Sequence, residues 1–177
     1  MSIRILGISG SLRAASSNTR LLQACAELAP EGVQVQLYDG LGTLPHFNAD
    51  LDTETPPPEV AALRAQVAAA DALVVCSPEY ARGVPGSLKN ALDWLVGSTH
   101  IVEKPVVLLS GSPRASHSQQ SLALTLRTIS ANLLTETPYL APVLGKAIEV
   151  RDIVDDTALA GVIRQMLADL LDAIRAH

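Results

Sequence analysis

Two stretches of this chain, Ala72-Leu73-Val74-Val75-Cys76 and Val106-Val107-Leu108-Leu109, are apolar at every position. A strand with one face in water alternates apolar and polar residues. A strand with no polar side must be covered above and below, as in the middle of a parallel sheet flanked by helices. The rest of the chain agrees, because short apolar runs alternate with longer segments of helical period, the pattern of repeated βαβ units. Strands are expected at residues 3–9, 33–37, 72–77 and 106–110. A fifth falls between residues 134 and 140, where Pro138 interrupts the pattern.

Leu21, Leu22, Cys25 and Leu28 mark a first helix. Val60, Leu63 and Val67 mark a second, with Pro58 near the first-turn position that proline favours. Leu88, Leu92 and Leu95 mark a third, and Leu122, Leu126, Ile129 and Leu133 a fourth. The stripe from Leu159 through Ile163, Met166, Leu167 and Leu170 to Ile174 makes a last helix packed on the sheet. The connection from Tyr38 to Pro57 is long, polar and rich in Gly, Pro and Asp, which suits a functional or interfacial loop.

A chain of 177 residues, 48% of them apolar, builds one core, so residues 1–177 are expected to form a single domain. A net charge of −5 and a pI near 5.3 speak against a nucleic-acid binder. Cys25 and Cys76 match no metal-ligand spacing and sit in apolar segments, as core thiols in a reducing compartment do. No basic leader precedes Ile3, and no apolar run approaches the ~20 residues of a membrane helix. The expected location is the cytoplasm, with no membrane partner.

In an open parallel sheet, ligands bind beyond the carboxyl ends of strands where successive crossovers diverge. The loops after strands one, three and four are therefore the candidates. The first reads Ser9-Gly10-Ser11-Leu12-Arg13-Ala14-Ala15-Ser16-Ser17-Asn18. A phosphate needs backbone N–H groups, hydroxyl donors, a guanidinium and the positive end of a helix dipole. Ser11, Ser16, Ser17, Arg13 and Asn18 offer these, with Gly10 expected to let the backbone turn tightly. Helix capping accounts for one of Ser16, Ser17 and Asn18, but not for the whole loop. No P-loop, complete dinucleotide fingerprint or G-x-S-x-G elbow competes.

After strand three, Pro78-Glu79-Tyr80-Ala81 opens a ribbon stiffened by Pro78 and Pro85 and relieved by Gly83 and Gly86. Such a ribbon can support a flat heterocycle, and a structural turn with Tyr80 packed on its own helix is the competing reading. Ser110-Gly111-Ser112-Pro113-Arg114 follows strand four, and either closes a third side of the pocket or forms a turn and cap. No acid–base constellation and no metal site is apparent.

Gly10-Ser11-Leu12-Arg13 with Ser16 and Asn18, Leu44-Pro45-His46-Phe47-Asn48 with Asp50, and Ser77-Pro78-Glu79-Tyr80 running into Pro85-Gly86-Ser87-Leu88-Lys89-Asn90-Ala91-Leu92-Asp93-Trp94 resemble the NADPH-dependent FMN reductase family, over roughly residues 3–135. That resemblance implies a flavodoxin-like three-layer α/β sandwich with a five-stranded parallel sheet of order 2-1-3-4-5. It implies FMN as cofactor, with Ser11, Arg13, Ser16, Ser17 and Asn18 at its phosphate and Pro78, Glu79, Tyr80 and Ala81 along the ring. Ser110 and Gly111 are the residues of the fourth strand end expected to close the pocket. It implies NADPH or NADH as co-substrate, a quinone, flavin, azo compound or similar small molecule as electron acceptor, and a homodimer or homotetramer. The chain departs from the family at Ala81, where asparagine is common, and at residues 112–118, where a glycine-rich stretch is common. A flavodoxin-type electron carrier, a non-catalytic flavin-binding redox sensor and a structural α/β module are the rival readings.

Overall fold

The computed structural model describes residues 2–143 and 148–176. β1 (Ile3–Ser9) lies inside a parallel sheet, paired on one side with β2 (Val33–Leu37) and on the other with β3 (Ala72–Cys76). β4 (Pro105–Ser110) pairs with β3, and the order is β2-β1-β3-β4-β5, as expected.

The two faces of the sheet carry separate cores. Leu6, Ile8, Leu73, Val75, Val106 and Leu108 pack against α2 (Pro58–Ala69), α3 (Gly86–Leu95) and α4 (Ser116–Thr128). Ile5, Val74, Cys76, Val107 and Leu109 face α1 (Ser17–Leu28) and α6 (Thr157–Arg175), with α5 (Val150–Asp155) beside them. Successive residues of one strand thus enter opposite cores, which is why β3 and β4 have no polar position. Pro58 opens α2, where a missing N–H costs nothing. Asp156 caps α6 by accepting the N–H groups of Ala158 and Leu159 at 2.9 and 3.0 Å.

The edge of the sheet departs from expectation. α4 stops at Thr128, Ser130 adopts a left-handed backbone with φ 62°, and Leu133, read above as helical, enters β5 (Asn132–Leu133). β5 pairs with the start of β4, and β6 (Tyr139–Leu140) pairs with its end. The single fifth strand of the sequence reading is therefore two short pieces. Val106 faces Leu133 and Leu109 faces Tyr139, so the edge chain carries more residues than β4 needs between the two pairings. Pro138, which has no N–H to give, lies in that excess.

The long 38–57 connection is fastened to α3. Trp94 Nε1 and Asn90 Nδ2 both donate to the Pro45 carbonyl, at 2.8 and 2.9 Å, and the Phe47 N–H donates to Asn90 Oδ1 at 2.8 Å. Arg64 pairs with Asp52 at 2.7 Å and also donates to the Trp94 carbonyl. Among the described residues no helix is long and apolar enough to cross a membrane.

Cys25 and Cys76 are free and buried on the same face of the sheet. Burial pushes the Cys25 thiol up to about 12 and raises that of Cys76 well above its ordinary value. The reactive thiolate is therefore scarce at neutral pH. A disulfide reagent at pH 8 should titrate neither thiol of the native protein on the timescale of a free thiol. Both should react at once in guanidinium chloride, and fast native labelling of either would contradict their burial.

Candidate functional site

α1, which follows β1, and α3, which follows β3, lie on opposite faces of the sheet, so the loops after β1 and β3 diverge and leave a cleft at the strand ends. Its floor is Gly10. The Gly10 N–H donates to the Cys76 carbonyl at 2.9 Å, and a Cβ there would stand 2.5 Å from Ser77 Oγ. The backbone of Gly10 does not have a positive φ. This glycine is needed for close approach of two loops, not for the tight turn expected of it.

The serines after β1 divide their work. The Ser9 hydroxyl meets that of Thr19 at 2.9 Å, tying the end of β1 to α1, and the Ser11 hydroxyl accepts the Arg13 N–H at 3.3 Å. Ser16 caps α1 by accepting the Thr19 N–H at 3.4 Å. The N–H groups of Ser17 and Asn18, in the first turn, have no acceptor among the described residues. The Cys76 thiol donates to Asn18 Oδ1 at 3.3 Å, which leaves the Asn18 amide nitrogen as the free end of that side chain. Arg13 has no ion-pair partner among the described residues.

A cleft of about 290 Å³ brings Ser11, Arg13, Ser16, Ser17 and Asn18 together with Pro78, Glu79, Tyr80 and Gly111. Two residues of the sequence reading do not line it. Ser110 is buried, its hydroxyl donating to the Ser112 carbonyl at 3.0 Å, and Ala81 lies in the turn closed by Tyr80 and Gly83. Ser77, Ser112, Arg114 and Ala115 line the cleft as well. Of these, Arg114 could have been foreseen, as a guanidinium placed after a strand end like Arg13.

Glu79 has a structural task too. Its Oε2 accepts the Ser118 N–H at 2.9 Å, in the first turn of α4, where residue 115 supplies no side-chain cap. A carboxylate from one strand-end loop thereby caps the helix that follows another, and favours the positive end of its dipole. Tyr80 is 49% exposed, so it is not packed away on α3 as the competing reading required.

The shelf turns sharply at Tyr80-Ala81-Arg82-Gly83. Tyr80 and Gly83 exchange both backbone hydrogen bonds, at 3.1 and 2.9 Å, while Ala81 and Arg82 stand at φ 49° and 61°. Two successive left-handed residues make the mirror-image turn that Asn-Gly fits best. For an alanine this backbone costs roughly 1–2 kcal/mol. Asparagine at position 81, common in the family named above, tolerates that backbone better.

Residues 3–141 match the sequence profile of the NADPH-dependent FMN reductases. The chain belongs to that family. It is 42% identical over 113 residues to an NAD(P)H-dependent FMN reductase of Pseudomonas aeruginosa, covering 64% of this chain and 57% of that protein. It is 27% identical over 174 residues to the quinone reductase of Escherichia coli K12, covering 94% and 93%. The chain spans about half the length of the relatives it matches at 42% to 45% identity. The structure superposes on FerB, an NAD(P)H:(acceptor) oxidoreductase of Paracoccus denitrificans, with a TM-score of 0.80 at 26% identity and nearly complete coverage of both chains. The fold is flavodoxin-like.

Replacing Ala81 by asparagine should relieve the turn without touching a cleft-lining side chain. Ala81→Asn is expected to stabilise by ~0.5–1 kcal/mol, raising Tm by about 1–4 °C in a domain of this size. Ala81→Val should lower it, and calorimetry that found Val as stable as Ala would remove the left-handed backbone at this position.

Proposed function

We propose that this chain is an FMN-dependent NAD(P)H reductase whose acceptor is a quinone, free flavin, azo compound or similar small molecule, and that residues 1–177 act as one folded unit. The observation that carries the reading is the meeting, in one cleft, of unfilled phosphate donors with an exposed aromatic shelf. The first-turn N–H groups of Ser17 and Asn18 and the Arg13 guanidinium, without partners among the described residues, make with the Ser17 hydroxyl a donor set for a dianion at the start of α1. Across the cleft, Pro78 and Tyr80 offer a flat surface, and Gly111 lines the far side, where a Cβ would run into Val143 and Leu21 of the core.

When bound, FMN supplies the redox chemistry, taking two electrons from a reduced nicotinamide and passing them to the acceptor. This chain's residues then have three tasks. Arg13, Ser16, Ser17 and Asn18 hold the phosphate. Ser11 and Ser77 line the passage between the loops, and Glu79, by holding α4, keeps the third and fourth strand-end loops together. Tyr80 borders the ring on a rigid turn. No proton has to be moved by a positioned acid or base on this account.

A homo-oligomer completes the reading. The cleft, of about 290 Å³, opens at the strand ends, where a second copy can close it over a bound FMN. Phe47 and Leu51 stand exposed on the loop fastened by Asn90, Trp94 and Arg64, where a second copy can cover them. A cytoplasmic location suits the two free thiols.

FMN should bind far more tightly than riboflavin, because each charge-assisted hydrogen bond to its phosphate contributes ~1.5–3 kcal/mol. Arg13→Ala should narrow that gap by about tenfold or more in Kd, read by quenching of flavin fluorescence. Anaerobic NADPH or NADH should bleach the bound flavin fast enough to account for turnover, and a quinone should restore its colour. A flavin that no pyridine nucleotide reduces would assign the chain to electron carriage or redox sensing instead. Light scattering at micromolar protein should give a mass of at least two chains, and a monomer there would refute the shared site.

A further inference from the structure

The loop after β4 is built like the loop after β1. Ser9-Gly10-Ser11-Leu12-Arg13 and Ser110-Gly111-Ser112-Pro113-Arg114 share the order Ser-Gly-Ser-x-Arg, the first followed after three residues by α1 and the second after one by α4. Their internal bonds correspond as well. The first serine hydroxyl donates to the carbonyl of the second serine, at 3.5 Å in the first loop and 3.0 Å in the second. The N–H of the second serine returns to that hydroxyl, at 3.4 and 3.3 Å. The arginine N–H donates to the second serine's hydroxyl, at 3.3 and 3.1 Å. Two loops of one design thus carry Arg13 and Arg114 into one cleft.

FMN has a single phosphate, and the α1 loop already supplies a full set of donors for it. Arg114 is left over. It has no ion-pair partner among the described residues, and Glu79, the one acid lining the cleft, is engaged at α4. In a chain of net charge −5, a cleft lined by two arginines and one glutamate is a local reversal of sign that attracts anions.

We infer that Arg114 is a specificity-determining residue that binds an oxyanion carried by the second ligand, the one that exchanges electrons with the flavin. This rests on the reductase reading above. Two sources share this chemistry: a pyrophosphate oxygen of the nicotinamide nucleotide, and an acceptor ionised at neutral pH such as a hydroxyquinone enolate. A neutral quinone of the same shape gains nothing from Arg114.

The test compares the wild-type protein with Arg114→Met and Arg114→Lys, all loaded with FMN and oxidised. Calorimetric titrations with NADP⁺, with 2-hydroxy-1,4-naphthoquinone and with neutral 2-methyl-1,4-naphthoquinone need no turnover. Arg114→Met should weaken at least one of the two anionic ligands by about tenfold to a hundredfold. The neutral quinone and FMN itself should stay within about threefold, and Arg114→Lys should recover part of the loss. Which anionic arm responds identifies the source. Unchanged binding of both anions, an equal loss for the neutral quinone, or a matching loss of FMN affinity would each overturn the assignment. The last would make Arg114 part of the FMN phosphate site. A wild-type flavin that neither NADPH nor NADH bleaches would defeat the reductase reading separately, while the hydroxyquinone titration would still report on Arg114.

Discussion

A parallel sheet cannot be wound in one direction only if both its faces are to be covered, and in this chain the reversal falls at β1. The strand is paired with β2 on one side and β3 on the other, and the helices of the two crossovers lie on opposite faces. Every feature of the cleft depends on that reversal. It parts the loops after β1 and β3 and brings Gly10 so near Ser77 that no side chain fits between them. The first turn of α1 is left facing the gap with its N–H groups unspent.

Much of this could be read from the residues, because the relevant forces act locally. Continuous apolar runs require cover on both faces, so β3 and β4 were legible as central strands. A serine-rich loop with an arginine before a helix offers donors to an anion, so residues 11–18 were legible as its proposed seat. What escaped depends on partners distant in the chain. Nothing near Glu79 shows that it caps α4 almost forty residues later, nor anything near Cys76 that its thiol orients Asn18. The edge strand was misplaced for a different reason. An edge position is held by one neighbour only, so periodicity is weak there, and a proline-interrupted path can pair twice with β4.

The shelf combines strain with rigidity. Left-handed backbone at Ala81 and Arg82 persists only because Tyr80 and Gly83 are locked to each other on either side. The strained pair is therefore part of what holds Tyr80 at the cleft, and position 81 acts through the backbone instead of through a side chain. The family's preference for asparagine there has a conformational rationale in this fold, independent of any contact with a ligand.

The fastening of the long loop has a consequence for how such a protein can change over time. Trp94 and Asn90 grip a carbonyl oxygen at Pro45, and Asn90 grips an N–H at Phe47. Both are main-chain atoms, present whatever side chain the loop carries. This part of the anchor lies on the helix, so exposed residues such as His46 and Leu51 can be exchanged without releasing it, whereas Phe47, edge-on to Trp94, and Asp52, paired with Arg64, carry side-chain contacts of their own. A surface of this kind can acquire a new partner, or lose an old one, while the cleft beneath it keeps its shape.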